Sequence, residues 1–154
     1  MEHYKHTVQY YETDKMGITH HSNYIRWMED ARVDFLNKIG WGFDKLESLG
    51  MISPVTSVEC KYKLSTKFAD EVFIDAFVEE FRGVRLKLKY IMKNADGKVV
   101  CEATSEHCFL DVNGRPVRME RDYPELFALL QPDKEKGQRN QGRYHDSGHL
   151  SEQT

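Results

Sequence analysis

The chain has 154 residues, a formal net charge of -3 and 40% hydrophobic residues, which fits one globular domain rather than a disordered chain. Acidic and basic residues are interspersed, which argues against a nucleic-acid binder that works by bulk charge. No run of about 18 apolar residues occurs and the first residues carry no apolar leader segment, so neither a membrane span nor a secretory signal is expected, and the expected location is the cytoplasm.

In chain order, His6 to Tyr11 reads as a short strand, followed by the polar loop Glu12-Thr13-Asp14-Lys15-Met16-Gly17. From about Ser22 to Lys38, Tyr24, Met28, Ala31, Phe35 and Ile39 recur at three- and four-residue spacing, which predicts a helix about 25 Å long. Ser22 and Asn23 are candidate N-caps, and Gly40 and Gly42 supply a stop. Four strand-like segments follow, Ile52–Leu64, Glu71–Phe81, Arg85–Lys93 and Lys98–Val112. Alternation is clearest in Arg85-Leu86-Lys87-Leu88-Lys89-Tyr90. The Asp-Gly of Asn94–Gly97 predicts a hairpin, and the Asn-Gly of Asp111–Gly114 a further turn. Asp122-Tyr123-Pro124 opens a short helix through Leu130. Residues 1–130 therefore form the expected domain, and 131–154, polar and poor in aromatics, the expected mobile tail. One strand, one long helix and an antiparallel meander predict an α+β layer with the sheet wrapped around the helix.

Cys60, Cys101 and Cys108 form no CxxC pair, so each is expected as a reduced, small apolar strand residue rather than a metal ligand. The chemistry concentrates in Tyr10–Tyr24. A carboxylate, a glycine and an imidazole stand just before a helix start, where unpaired N–H groups carry partial positive charge. Such N–H groups stabilise the oxyanion formed when a carbonyl is attacked, and a nearby carboxylate can attack the carbonyl or activate water. Read alone, Asp14 could equally cap its own turn, His21 could be an exposed pre-helix residue and Tyr10 a core aromatic. Arg85, Lys87 and Lys89 could be the solvated face of a strand. Trp27, Met28 and Phe35 read as core.

The pattern Tyr-x-Glu-Thr-Asp-x-Met-Gly, then His-x-Asn-Tyr entering a long helix, resembles the active-site segment of the 4-hydroxybenzoyl-CoA thioesterase family. It is most similar to the branch of Tol–Pal-associated acyl-CoA thioesterases. The resemblance implies a hotdog fold and hydrolysis of an acyl-coenzyme A thioester, with Trp27, Met28 and Phe35 as core or acyl-pocket lining. It implies no cofactor and no metal, coenzyme A being part of the substrate. Asp14 matches the catalytic aspartate, as nucleophile or general base. His21 matches a position whose backbone N–H faces the thioester carbonyl, and Tyr10 a tyrosine implicated in catalysis. Gly17, Asn23 and Tyr24 match the substrate-binding turn and helix start. Arg82 and Arg85, with Lys87, are candidates for the coenzyme A phosphates. The resemblance also implies a homodimer or homotetramer, with sheets joined edge to edge and active sites shared between subunits. Other readings of the same residues are a thioesterase acting on acyl groups held by a carrier protein, and a non-catalytic hotdog module that binds acyl-CoA.

Overall fold

The computed structural model describes residues 2–132. The expected tail, from residue 133 onward, lies outside the described residues. The elements run β1 (Tyr4–Thr7), a 3-10 turn (Tyr10–Glu12), α1 (Ser22–Lys38), α2 (Phe43–Ser48), β2 (Val55–Tyr62), β3 (Glu71–Phe81), β4 (Arg85–Lys93), β5 (Val99–Cys108), α3 (Met119–Asp122) and α4 (Pro124–Leu129). All strand pairs are antiparallel, in the order β1-β3-β4-β5-β2. This is the α+β arrangement the pattern predicts, with α1 across one face of the sheet.

Strand alternation decides which face is covered. Val72, Ile74 and Val78 of β3, Leu86, Leu88, Tyr90 and Met92 of β4, and Cys101 and Ala103 of β5 share the core. They pack with Tyr24, Trp27, Met28, Ala31, Phe35 and Leu36 of α1. Each fully buried leucine there contributes about 1.5–3 kcal/mol relative to exposure. The three cysteines are free; Cys101 is buried, Cys60 and Cys108 half-buried. One polar strip interrupts this layer, as the Tyr90 hydroxyl meets Ser105 Oγ at 2.8 Å and Ser105 Oγ meets His107 Nε2 at 2.6 Å. Burial, with the Arg32 charge adding to it, pushes His107 down to about 3, so its imidazole is neutral.

The first strand starts two residues before the expected His6–Tyr11, at Tyr4, and ends four residues short of it, at Thr7. The Glu12 carboxylate accepts the Gln9 N–H at 2.8 Å, and the Thr13 N–H reaches Tyr10 O at 3.1 Å, which curls residues 10–12 into the 3-10 turn. Neither Ser22 nor Asn23 caps α1. His21 is the N-cap, in helical conformation, because both side chains bond elsewhere: Ser22 Oγ to His20 Nδ1 at 2.8 Å, and Asn23 Nδ2 to Glu12 O at 2.9 Å. Gly40 takes φ +83° and ends α1, whereas Gly42 opens α2, a helix too short for its periodicity to register in sequence. The remaining strands are trimmed to Val55–Tyr62 and Val99–Cys108. No helix among the described residues is long and apolar enough to cross a membrane.

Strand β2 is an open edge. It is exposed along almost its whole length, including Val55, Val58 and Tyr62. Edge strands with apolar side chains are templates for pairing with another chain.

Candidate active site

The loop between the 3-10 turn and α1 folds back on itself. Thr13 bridges Thr19, the Asp14 N–H donates to Ile18 O at 2.9 Å, and the Gly17 N–H donates to Asp14 O at 2.9 Å. Gly17 sits at φ +80°, a conformation that side chains with a Cβ rarely adopt, so the tight reversal depends on glycine here. Asp14 Oδ1 accepts the Met16 N–H at 2.8 Å. Asp14 therefore does cap its own turn through Oδ1, and no other hydrogen bond engages its carboxylate among the described residues. It is half-buried.

The loop is pinned from three sides. Thr19 Oγ1 meets Thr66 Oγ1 at 2.6 Å, and Tyr24 Oη meets the same Thr66 hydroxyl at 3.0 Å, a buried ladder that ties loop and helix to the segment before β3. The Tyr62 hydroxyl donates to His21 O at 3.2 Å from the open edge strand. Burial, then nearby Cys60, pushes that phenol up to about 12, so it stays a neutral donor. Asn23 Nδ2 donates to Glu12 O and to His20 O, bracing the first turn of α1.

These contacts place Asp14, His21 and Tyr24 on the wall of one hollow of about 320 Å³, with Ile18, Thr19 and Tyr62. The His21 ring stacks on His20 at 4.3 Å and meets the Tyr62 edge at 6.1 Å. At the start of α1, the Asn23 N–H donates to His20 O and the Tyr24 N–H to His21 O. The Ser22 N–H reaches His20 Nδ1 at 3.3 Å. The His21 N–H has no acceptor among the described residues. One hollow is thus lined by an acidic residue and by the residue that opens a 17-residue helix at its positive end.

The other sequence-predicted residues lie elsewhere. Tyr10 is 76% exposed in the 3-10 turn, edge-on to Phe68 at 5.7 Å, and is neither a strand residue nor part of the core. Gly17 shapes the loop, and Asn23 braces the helix start. Arg82 and Arg85 line a separate hollow of about 430 Å³ with Lys87, Glu80 and Glu106. Arg82 pairs with Glu80 at 3.1 Å, Lys87 with Glu79 at 3.5 Å and Lys89 with Glu102 at 2.7 Å. The register shows how far apart the two hollows are. Tyr62 pairs with Cys101, whereas Arg85 pairs with Cys108, seven residues along β5. At about 3.3 Å per residue that is roughly 23 Å. Thr66, Tyr62 and Glu12 were not singled out from sequence. Only Glu12 carried a signal there, as part of the pattern around Asp14.

Residues 8–131 match the profile of the Thioesterase-like superfamily. The chain belongs to the thioesterase-like superfamily. Its relatives in that superfamily include YneP of Bacillus subtilis, provisionally named an acyl-CoA thioesterase. It is 29% identical over 82% of this chain and 93% of that protein. A DHNA-CoA thioesterase from Staphylococcus aureus superposes with a TM-score of 0.79 at 30% identity, covering 92% of this chain and 94% of that one. SAV2348 from Staphylococcus aureus, solved in complex with CoA, shares the fold at 16% identity, with a TM-score of 0.75 over 84% of this chain and 85% of that one. The hotdog fold of this superfamily is the sheet and helix described above.

Proposed function

We propose that this thioester hydrolase cleaves acyl-coenzyme A to free acid and CoA, with Asp14 as nucleophile or general base and the start of α1 as oxyanion hole. One observation carries the reading: Asp14 and His21, whose N–H has no acceptor among the described residues, line the same hollow. The carbonyl carbon is attacked either by the free Asp14 oxygen or by a water that Asp14 deprotonates. The oxyanion that forms receives the His21 N–H and the helix dipole. A thiol has an ordinary pKa of about 8.5, so the CoA thiolate leaves without a strong acid. Within the superfamily, we read the Tyr10–Tyr24 pattern as that of the 4-hydroxybenzoyl-CoA and Tol–Pal-associated branch. The relatives named above support a CoA thioester. The acyl class is tested by incubating the protein with short, long and aromatic acyl-CoAs and following free thiol. Release from at least one class is expected, and release from none would remove the proposal.

We infer that the two hollows serve one substrate across a subunit boundary. One pantetheine arm would otherwise have to run the roughly 23 Å length of the sheet within a single subunit. Antiparallel pairing of two β2 edges about a two-fold axis would bring the Arg82 and Arg85 end of one subunit toward the Asp14 end of the other. A dimer or a tetramer is therefore expected by light scattering, and a stable, fully active monomer would overturn the shared site. For the Arg82→Ala/Arg85→Ala variant, KM for acyl-CoA should rise more than kcat falls. Added salt should mimic the change, since exposed charges are screened within about 10 Å at 0.1 M. An unchanged KM would return both arginines to the solvated face of the sheet.

A further inference from the structure

Glu12 is 4% exposed, and a buried carboxylate is costly unless it is fully hydrogen-bonded. Its Oε1 accepts the Gln9 N–H at 2.8 Å and meets His6 Nε2 at 2.8 Å. Its Oε2 accepts the Trp27 Nε1–H at 2.7 Å, and Trp27 lies in the core face of α1. His6 stacks on Trp27 at 4.7 Å, closing the group. Burial works against the charged form, but these donors outweigh it and hold the carboxyl below its usual range. The same residue acts through its backbone too: Glu12 O accepts the His20 N–H at 2.8 Å and Asn23 Nδ2 at 2.9 Å. Glu12 thus joins β1, the 3-10 turn, the middle of α1 and the pre-helix residues, two positions before Asp14 and next to His21 in its contacts.

We propose that Glu12 is the positioning residue of the site. Its buried carboxylate clamps β1 to α1 and its carbonyl holds the His20–Asn23 corner, so that the Asp14 carboxylate and the His21 N–H face one reacting carbonyl. Glu12 itself is buried and is not among the residues that line the hollow of Asp14 and His21. The relation between Asp14 and His21 is set at both ends of the loop from this one residue. A misplacement of about 1 Å between reacting groups can cost about 10²-fold in rate. The clamp therefore governs turnover rather than substrate affinity. The proposal rests on the thioesterase reading for its kinetic consequence, but not for its structural one.

The test is Glu12→Gln in the full chain. The amide is almost the size of the carboxylate, but either orientation turns its NH2 against an existing N–H donor, that of Gln9 or that of Trp27. With acyl-CoA, kcat should fall at least about tenfold while KM stays within about twofold. Amide exchange at Asp14 and His20, whose N–H groups close the loop, should quicken at least about tenfold, with α4 unaffected. Leu126→Ala, a core truncation in α4, is the control. At a matched loss of melting temperature it should leave kcat unchanged. Should Glu12→Gln fail to fold, Glu12→Asp takes its place under the same criteria, its shorter arm being unable to reach both His6 and Trp27. A folded variant with wild-type kcat and wild-type exchange at Asp14 and His20 overturns the proposal, and so does a Leu126→Ala control that loses as much kcat. If the wild-type protein released no thiol from any acyl-CoA, the thioesterase reading would fail on its own, and the exchange measurement alone would decide the role of Glu12.

Discussion

Asp14→Asn is expected to lower kcat by at least about 10²-fold with the fold unchanged, a loss of about 2.7 kcal/mol of transition-state stabilisation. The geometry makes this a selective change. Asp14 Oδ1 accepts only the Met16 N–H, and the asparagine side-chain oxygen can accept the same bond. The Asp14 N–H to Ile18 O and Gly17 N–H to Asp14 O bonds are backbone bonds that the substitution does not touch. The turn, Gly17 and the pinned loop should all persist, so the melting temperature should match the wild type. What disappears is the anionic oxygen that attacks the carbonyl or takes a proton from water. Steady-state kinetics on the purified variant check this, and near wild-type turnover would remove Asp14 from the chemistry.

His21→Ala should also cost about 10²-fold in kcat, the scale of an acid–base side chain. His21 offers two groups, and the variant separates them. Its backbone N–H is retained in alanine, and its helical φ of -56° and ψ of -29° suits alanine without strain. Only the imidazole is removed, together with its stacking on His20 and its edge contact with Tyr62. We favour participation of the ring in orienting water or in proton transfer. If the ring moves a proton, the pH–rate profile of the variant should differ in shape from that of the wild type. A loss of less than about tenfold with an unchanged profile would leave the backbone N–H as the sole contribution.

Periodicity carried most of the fold. The bounds of α1, β3 and β4 are those read from the spacing of Tyr24, Met28 and Ala31 and from the alternation through Arg85–Tyr90. Where side-chain hydrogen bonds compete with propensity, the elements depart from the pattern. Tyr10 and Tyr11 have strand-like side chains, yet the Glu12 carboxylate captures the Gln9 N–H and bends them into an exposed turn. Ser22 and Asn23 are good cap residues whose side chains are taken by His20 and Glu12 instead. The placement of Asp14 and His21 in one hollow was foreshadowed by the motif, but its supports were not. The Thr19–Thr66 and Tyr24–Thr66 hydroxyl bonds join residues 47 and 42 positions apart, and no local spacing encodes such a pair. Likewise, alternation put basic residues on one strand face, but only the sheet register separates Arg85 from the Asp14 hollow by the length of β5.

The most direct test of thioester hydrolysis centred on Asp14 is the release of CoA thiol and free acid, measured side by side for the wild-type protein and Asp14→Asn with the acyl-CoA that the wild type cleaves fastest. The account predicts equal amounts of thiol and acid from the wild type, and a rate at least about 10²-fold lower from the variant at unchanged melting temperature. Equal rates from both proteins, or no thiol from the wild type with any acyl-CoA, would contradict it.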